Sequence, residues 1–244
     1  MFAWASGKRG TFMADWELIP GGLKAISAGS RTCVWGVNAG GNIYRFTNDD
    51  ATPWVQIPGA ATDIGAGADG TVWHVNSDGK IFRYTGDQGT PHWKLIPGGL
   101  ARIDVGSRTS VWGVNAGGNI YRFTNDDSSP WVQIPGAATD IGAGADGTVW
   151  HVNSDGRIFR YTGDQGTPHW KLIPGGLTRI AVGSRTCVWG VNAHGNIYRY
   201  TNNDTSPWVQ IPGTATDIGA AADGTVWHVN SDGKIFRYIG DQQG

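Results

Sequence analysis

Apolar and polar positions alternate along the chain in short runs, each ending at Gly, Asn, Asp or Pro. A period of two belongs to a half-buried strand, whose successive side chains point to opposite faces. The stretch from Ala61 shows the pattern well. It predicts strand A near Thr62 to Gly65, strand B near Thr71 to Asn76, strand C near Ile81 to Thr85 and strand D near Trp93 to Ile96. The density of Gly and Pro excludes helix as the main element.

The same four runs recur. Aligned on the tryptophan that opens Trp-x-x-Ile-Pro, the units begin at Trp16, Trp54, Trp93, Trp131, Trp170 and Trp208, spaced 38, 39, 38, 39 and 38 residues apart. A stricter period of 77 lies over the shorter one: Leu23 to Gly99 and Leu100 to Gly176 differ at only 8 of 77 positions. Four short strands in about 38 residues make one propeller blade. The first recognisable run, Trp16-Glu17-Leu18-Ile19, is a strand D with no A, B or C before it, and the last unit has A, B and C but no D. The expected fold is therefore all-β, a six-bladed β-propeller of four-stranded antiparallel blades. Its N-terminal strand completes the C-terminal blade and removes two sheet edges. Residues 16–244 form this single domain, and residues 1–15 read as an N-terminal arm or tag.

Strands B and C are joined through Asp78-Gly79 in even units and Gly40-Gly41 in odd ones. Two-residue turns there would pair Trp73 with Tyr84, His74 with Arg83 and Val75 with Phe82. In the odd unit the pairs would be Trp35 with Phe46, Gly36 with Arg45 and Val37 with Tyr44. One face of each blade would then carry Trp, Val and two aromatics, and the other Ile, Arg and Gly or His. Arg45, Arg83, Arg122, Arg160, Arg199 and Arg237 recur in the middle of every strand C. A guanidinium between packed sheets needs acceptors or a path to water. It either bonds carbonyls of the adjacent blade or lines a small polar opening between blades.

Composition narrows the function. Formal net charge is −1, so neither nucleic acid nor an anionic membrane is an expected partner, and no apolar run is long enough to insert into a bilayer. Residues 1–10 contain Lys8 and Arg9 but no signal-peptide core, which leads to a cytoplasmic expectation. The two cysteines, Cys33 and Cys187, fall at one repeat position where the middle copy has Ser110, a small-residue packing site with free thiols. His74, His151 and His228 recur on strand B, a third of a turn apart, and take structural or site-wall roles; no metal and no cofactor is expected. Asp69-Gly70 and Asp78-Gly79 are turn chemistry. Asp63, Asp140 and Asp217 begin strand A and are placed to hydrogen-bond a neighbouring loop or a ligand. Catalysis needs one asymmetric constellation, yet nearly every candidate here is copied three or six times. The chain reads as a binding protein rather than an enzyme.

The segments Trp-x-x-Ile-Pro-Gly, Gly-x-Asp-Gly-Thr-Val-Trp and Asp-Gly-x-Ile-Phe-Arg-Tyr, linked and repeated six times, resemble the tectonin repeat, most closely that of mushroom members. The resemblance covers Trp16 to about Gly240. It implies a propeller lectin of innate defence that recognises O-methylated sugars on bacterial and nematode glycans. Applied to the blade junctions, it assigns hydrogen bonds to the six arginines and to Asn38, Asn76, Asn115, Asn153, Asn192 and Asn230. It assigns apolar walls to Trp35, Trp73, Trp112, Trp150, Trp189 and Trp227 with Tyr84, Tyr161 and Tyr238, and room for close approach to Gly36, Gly113 and Gly190. A propeller platform for protein–protein interaction is the alternative. The sequence permits a homo-oligomer without indicating one.

Overall fold

The computed structural model describes residues 15–88, 92–165 and 169–240, so the expected N-terminal arm lies, but for Asp15, outside the described residues. Six four-stranded antiparallel sheets follow one another as blades I to VI. Blade I comprises strands A Ala25–Ser30, B Cys33–Val37, C Asn42–Phe46 and D Trp54–Ala60. Blade II comprises A Asp63–Ala66, B Val72–Val75, C Ile81–Tyr84 and D Trp93–Ile96, and blades III, IV and V repeat the pattern over residues 102–137, 140–173 and 179–214. Blade VI takes A, B and C from Asp217–Ala220, Val226–Val229 and Ile235–Tyr238, and its fourth strand is Trp16–Ile19. Trp16 lies opposite Tyr238 and Ile19 opposite Ile235, so the chain ends share a blade as expected.

The B–C register differs from expectation by one residue. Trp73 pairs with Arg83, His74 with Phe82 and Val75 with Ile81; in blade I, Trp35 pairs with Arg45, Gly36 with Tyr44 and Val37 with Ile43. The loop has three residues, Ser77, Asp78 and Gly79, rather than two. The Asn76 amide donates to the Lys80 carbonyl and the Gly79 amide to the Asn76 carbonyl, both at 3.0 Å, with Gly79 at φ 76°. That is a turn followed by a left-handed residue, the common three-residue hairpin. Asn76 Oδ1 locks it by accepting from the amides of Asp78 at 3.1 Å and Lys80 at 2.9 Å. A slip of one residue exchanges the faces of a strand. Trp, Val, Ile and Arg therefore share one face, and His or Gly with Phe, Tyr and the strand D tryptophan share the other.

The two faces are complementary. Trp73 of blade II packs edge-on against Phe123 at 4.8 Å and Trp131 at 6.0 Å of blade III, inside a cluster that takes Val75 and Ile81 from one blade and Ile103, Val105 and Val111 from the next. At closure Trp227 meets Phe46 and Trp54 in the same way. Each strand D indole also donates to the preceding blade's proline carbonyl, from Trp54 to Pro20 at 2.9 Å through Trp16 to Pro212 at 2.6 Å. Cys33 and Cys187 lie in separate blades and form no disulfide.

Gly36, Gly113 and Gly190 serve this packing. A Cβ on any of them would lie 2.4 Å from Cδ1 of Leu23, Leu100 or Leu177. Even blades carry His where these glycines stand and Ala61, Ala138 or Ala215 where the leucines stand, so the repeat exchanges a large–small pair for a small–large one. Gly113→Ala is expected to destabilise the fold by about 1–3 kcal/mol through overpacking. The same change made on Leu100→Ala should cost less, which urea titration of the four proteins of the cycle will measure.

Candidate functional site

One rim of the ring carries the A–B and C–D loops, and the strand C arginines lie beneath it. Each guanidinium stands over the indole of its own strand B partner, 5.3 to 5.7 Å from the ring centroid. Such stacking suits a planar, weakly hydrated cation. Those whose ion pairs are described keep side-chain exposures of 27–32% and reach the next blade's C–D loop. The acceptors are side chains, a third outcome beside the two expected. Arg237 also lines a polar opening between blades.

Two kinds of junction alternate. From odd to even blades, Arg45 donates to the Tyr84 hydroxyl at 3.4 Å and pairs with Asp87 at 2.9 Å; Arg122 repeats this with Tyr161 at 3.5 Å and Asp164 at 2.9 Å. Tyr84 hydrogen-bonds Asp87, and burial together with that carboxylate pushes its hydroxyl up to about 12, keeping it a donor at neutral pH. In the third junction of this kind Arg199 stands over Trp189, which packs against Tyr238 of the next blade. Val55, Val132 and Val209 on strand D lie opposite Arg45, Arg122 and Arg199 and are about 40% exposed. From even to odd blades the loop carboxylates are Asp127, Asp204 and Asp50, and strand D offers Lys94, Lys171 and Glu17 in place of valine. At junction VI–I this geometry encloses a cleft of about 600 Å³ lined by Glu17, Arg31, Phe46, Asn48, Asp223 and Arg237 among others. Asn48 enters it at φ 66°, a left-handed conformation that asparagine tolerates well.

The other expected site residues are placed differently. The six strand B tryptophans are at most 3% exposed, so the arginines and the next blade's aromatics cover them and they present no wall to a ligand. The asparagines sit in B–C turns on the opposite rim, separated from the arginine level by three strand residues, about 10 Å. Asn38 and Asn115 line smaller clefts there, of about 260 and 390 Å³. Gly36, Gly113 and Gly190 hold leucine side chains rather than space. Arginine and tyrosine are thus brought together at the rim with the tryptophans buried beneath them, and the asparagines and glycines are not. The loop aspartates and the strand D valines and lysines were missed. Their signal was available, since each occupies a fixed repeat position, but which arginine each one meets is set by the packing of one blade on the next.

Two further expectations acquire detail. Asp69 does form its turn, accepting from the Thr71 amide at 3.1 Å, and its second oxygen accepts from the Arg108 amide of the next blade at 2.9 Å. Asp63, Asp140 and Asp217 line the central channel and accept from the amides of Ile103, Ile180 and Ile26 at 2.8 to 2.9 Å. Arg102 lies 3.3 Å from Asp63 and 3.8 Å from Asp140, and Arg179 lies 3.6 Å from Asp217. Ala25 holds the third arginine position, so the chain of ion pairs is open at blade I.

A family model described as the Tectonin domain matches residues 1–130 and 124–244. No curated protein matches the chain. Similar solved structures include YCF48 bound to a D1 peptide, with a TM-score of 0.60 at 16% identity over 94% of this chain and 98% of that one. A streptogramin B lyase has a TM-score of 0.61 at 22% identity, covering 89% and 78%. The RRP9 WD40 repeats have a TM-score of 0.59 at 8% identity, covering 92% and 97%. At such identities the likeness is one of fold alone.

The channel and the blade interiors respond to pH with opposite signs. Burial pushes Asp104 up to about 8 and Asp217 up to about 7, and raises Asp63 and Asp140. Burial pushes His74, His151 and His228 down to about 4. The imidazoles favour folding above the unfolded value near 6.5 and lose that contribution as pH falls toward 4. The carboxyls act the other way: the folded state holds their protons, and stability declines as pH rises toward 8. Above pH 6.5 only the carboxyl effect remains among these groups. Urea midpoints should therefore fall between pH 6.5 and 8, and Asp104→Asn should flatten the fall by up to about 1.4 kcal/mol per pH unit. An unchanged slope in that variant would refute the assignment.

Proposed function

This chain belongs to the Tectonin domain family, and we propose that it is a multivalent lectin for O-methylated glycans of bacterial and nematode surfaces, acting in innate defence from the cytoplasm. The family and the propeller together support a lectin or an interaction platform. The observation that carries the finer reading is the odd-to-even junction. There Arg45 offers donors, Asp87 and the Tyr84 oxygen offer acceptors, and Val55 offers an exposed apolar contact beside them. A methylated sugar presents the matching set: hydroxyls that need directional partners, and a methyl group that gains by leaving water. Junction III–IV repeats the arrangement with Arg122, Tyr161, Asp164 and Val132, and in junction V–VI Arg199, Tyr238 and Val209 hold the corresponding places.

A shallow saccharide site binds weakly, with dissociation constants on the order of micromolar to millimolar. Repetition on a rigid ring raises the effective affinity for a dense glycan surface by roughly 10² to 10⁴. The alternative, a protein-interaction platform, would diversify its loops. The C–D loops Thr47-Asn48-Asp49-Asp50 and Thr124-Asn125-Asp126-Asp127 are instead identical, and Thr85-Gly86-Asp87-Gln88 recurs from Thr162. Uniform loops fit a repeating ligand better.

On an array that pairs O-methylated sugars with their unmethylated parents, selective signal on the methylated members is expected. A blank array with folded protein would leave the interaction platform. Replacing all six strand C arginines by alanine should abolish the signal. Val55→Lys with Val132→Lys and Val209→Lys should abolish the preference for the methyl group while leaving the fold intact, because these positions already face water.

A further inference from the structure

The three even-to-odd junctions share the strand C arginine and the loop aspartate that meets it; in IV–V Tyr200 stands for Phe46 and Phe123 and Asn203 for Asp49 and Asp126, and the first position after the strand D tryptophan carries Lys94, Lys171 and Glu17. That position inverts the charge order. In junction II–III, Asp127 Oδ2 lies between Arg83 Nη2 at 2.7 Å and Lys94 Nζ at 2.6 Å. In junction IV–V, Asp204 Oδ2 lies between Arg160 Nη2 at 2.8 Å and Lys171 Nζ at 2.6 Å. In junction VI–I a cation lies between two carboxylates: Arg237 Nη2 is 2.7 Å from Asp50 and 2.6 Å from Glu17. A second contact on the same rim is common to all three, with the amides of Arg108, Arg185 and Arg31 donating to Asp69, Asp146 and Asp223. Those residues add one charge of each sign per junction. Counting only the residues in these contacts, two junctions carry one cation in excess and the third one anion.

The protein itself shows where a carboxylate fits. Glu17 Oε2 accepts from Arg237 Nε at 3.2 Å and Nη2 at 2.6 Å, one edge of the guanidinium, while Asp50 takes the outer edge. In junctions II–III and IV–V the outer edge is likewise taken, by Asp127 and Asp204. At the edge that Glu17 occupies in VI–I, these junctions present a half-exposed ammonium, and Nε of Arg83 and Arg160 meets no side-chain acceptor among the described residues. An incoming carboxylate would find the donors that Glu17 uses, with a lysine added.

We propose that junctions II–III and IV–V bind a saccharide bearing a carboxylate, of the uronic acid class, which takes the place of the Glu17 carboxylate, and that Glu17 excludes the same ligand from junction VI–I. The inference rests on the reading that saccharides enter between blades. It adds a second, charge-selected specificity to the neutral odd-to-even junctions. Charge-assisted bonds to a guanidinium and an ammonium discriminate the acid from its neutral parent, and added salt weakens them.

Equilibrium dialysis of the whole chain against methyl glucuronide, with methyl glucoside as the neutral control, tests this. At saturation the native protein should hold two glucuronides, and Glu17→Lys should hold three. Lys94→Glu with Lys171→Glu should hold none, since each junction then carries the carboxylate that Glu17 supplies in VI–I. Equal binding of the glucoside, an unchanged count in Glu17→Lys, or full binding by the double variant would overturn the proposal. A neutral O-methylated sugar run on the same proteins separates the two readings. Its retention in every variant shows the odd-to-even junctions intact, whereas its absence beside the expected glucuronide counts would sink the methylated-glycan reading and leave this one standing.

Discussion

Blade-on-blade contact is the constraint on which the rest of the structure depends. Each sheet has one face built from Trp, Val, Ile and Arg and another built from Phe or Tyr, His or Gly and an outer Trp, and neither can be left in water. The only partner for a blade's first face is the second face of the next blade. Six repetitions bring the last face round to the first, and the N-terminal strand seals the circle at Trp16–Ile19. The twelve repeat tryptophans are therefore structural before they are anything else. The six inner ones support the arginines that stand above them.

That support links packing to recognition. A guanidinium stacked on a buried indole is fixed in position with its fork directed at the next blade's loop, so each junction is pre-organised by the core beneath it. The loop carboxylate that meets it costs little to hold: its partners keep Asp87 and Asp127 below the usual carboxylate range, led by Tyr84 at Asp87 and by Lys94 at Asp127. The charge of a junction is varied by what strand D presents beside an otherwise constant arginine. Valine makes the junction neutral and partly apolar, lysine leaves it cationic, and glutamate reverses it.

The blade count, the strand positions and the closure were legible in the sequence because they depend on local periodicity and turn residues, which repeat six times and correct one another. The strand C arginines stood out for the same reason. The register of the B–C hairpin did not, because Asp78-Gly79 suits both a two-residue and a three-residue loop. The Asn76 side chain decides between them through two backbone hydrogen bonds that a sequence does not display. From that one slip followed the misplaced faces and the inclusion of Asn76 and Gly36 with Arg83. The Leu23–Gly36 and Ala61–His74 exchange was written in the sequence as a covariation between alternate units, but nothing short of the fold says that those positions touch.

By itself the chain determined a closed ring of six all-β blades with a repeated cation in each, since hydrophobic periodicity and turn chemistry act over a few residues. Only the tertiary structure decided which carboxylate meets which arginine, because those contacts join residues some forty positions apart, or at opposite ends of the chain, through the rotation of one blade onto the next. It also gave Glu17 its meaning. In sequence it is a charged residue near the N-terminus, and in the ring it occupies the place that Lys94 and Lys171 hold elsewhere, so closing the fold with the first strand sets the charge of the last junction.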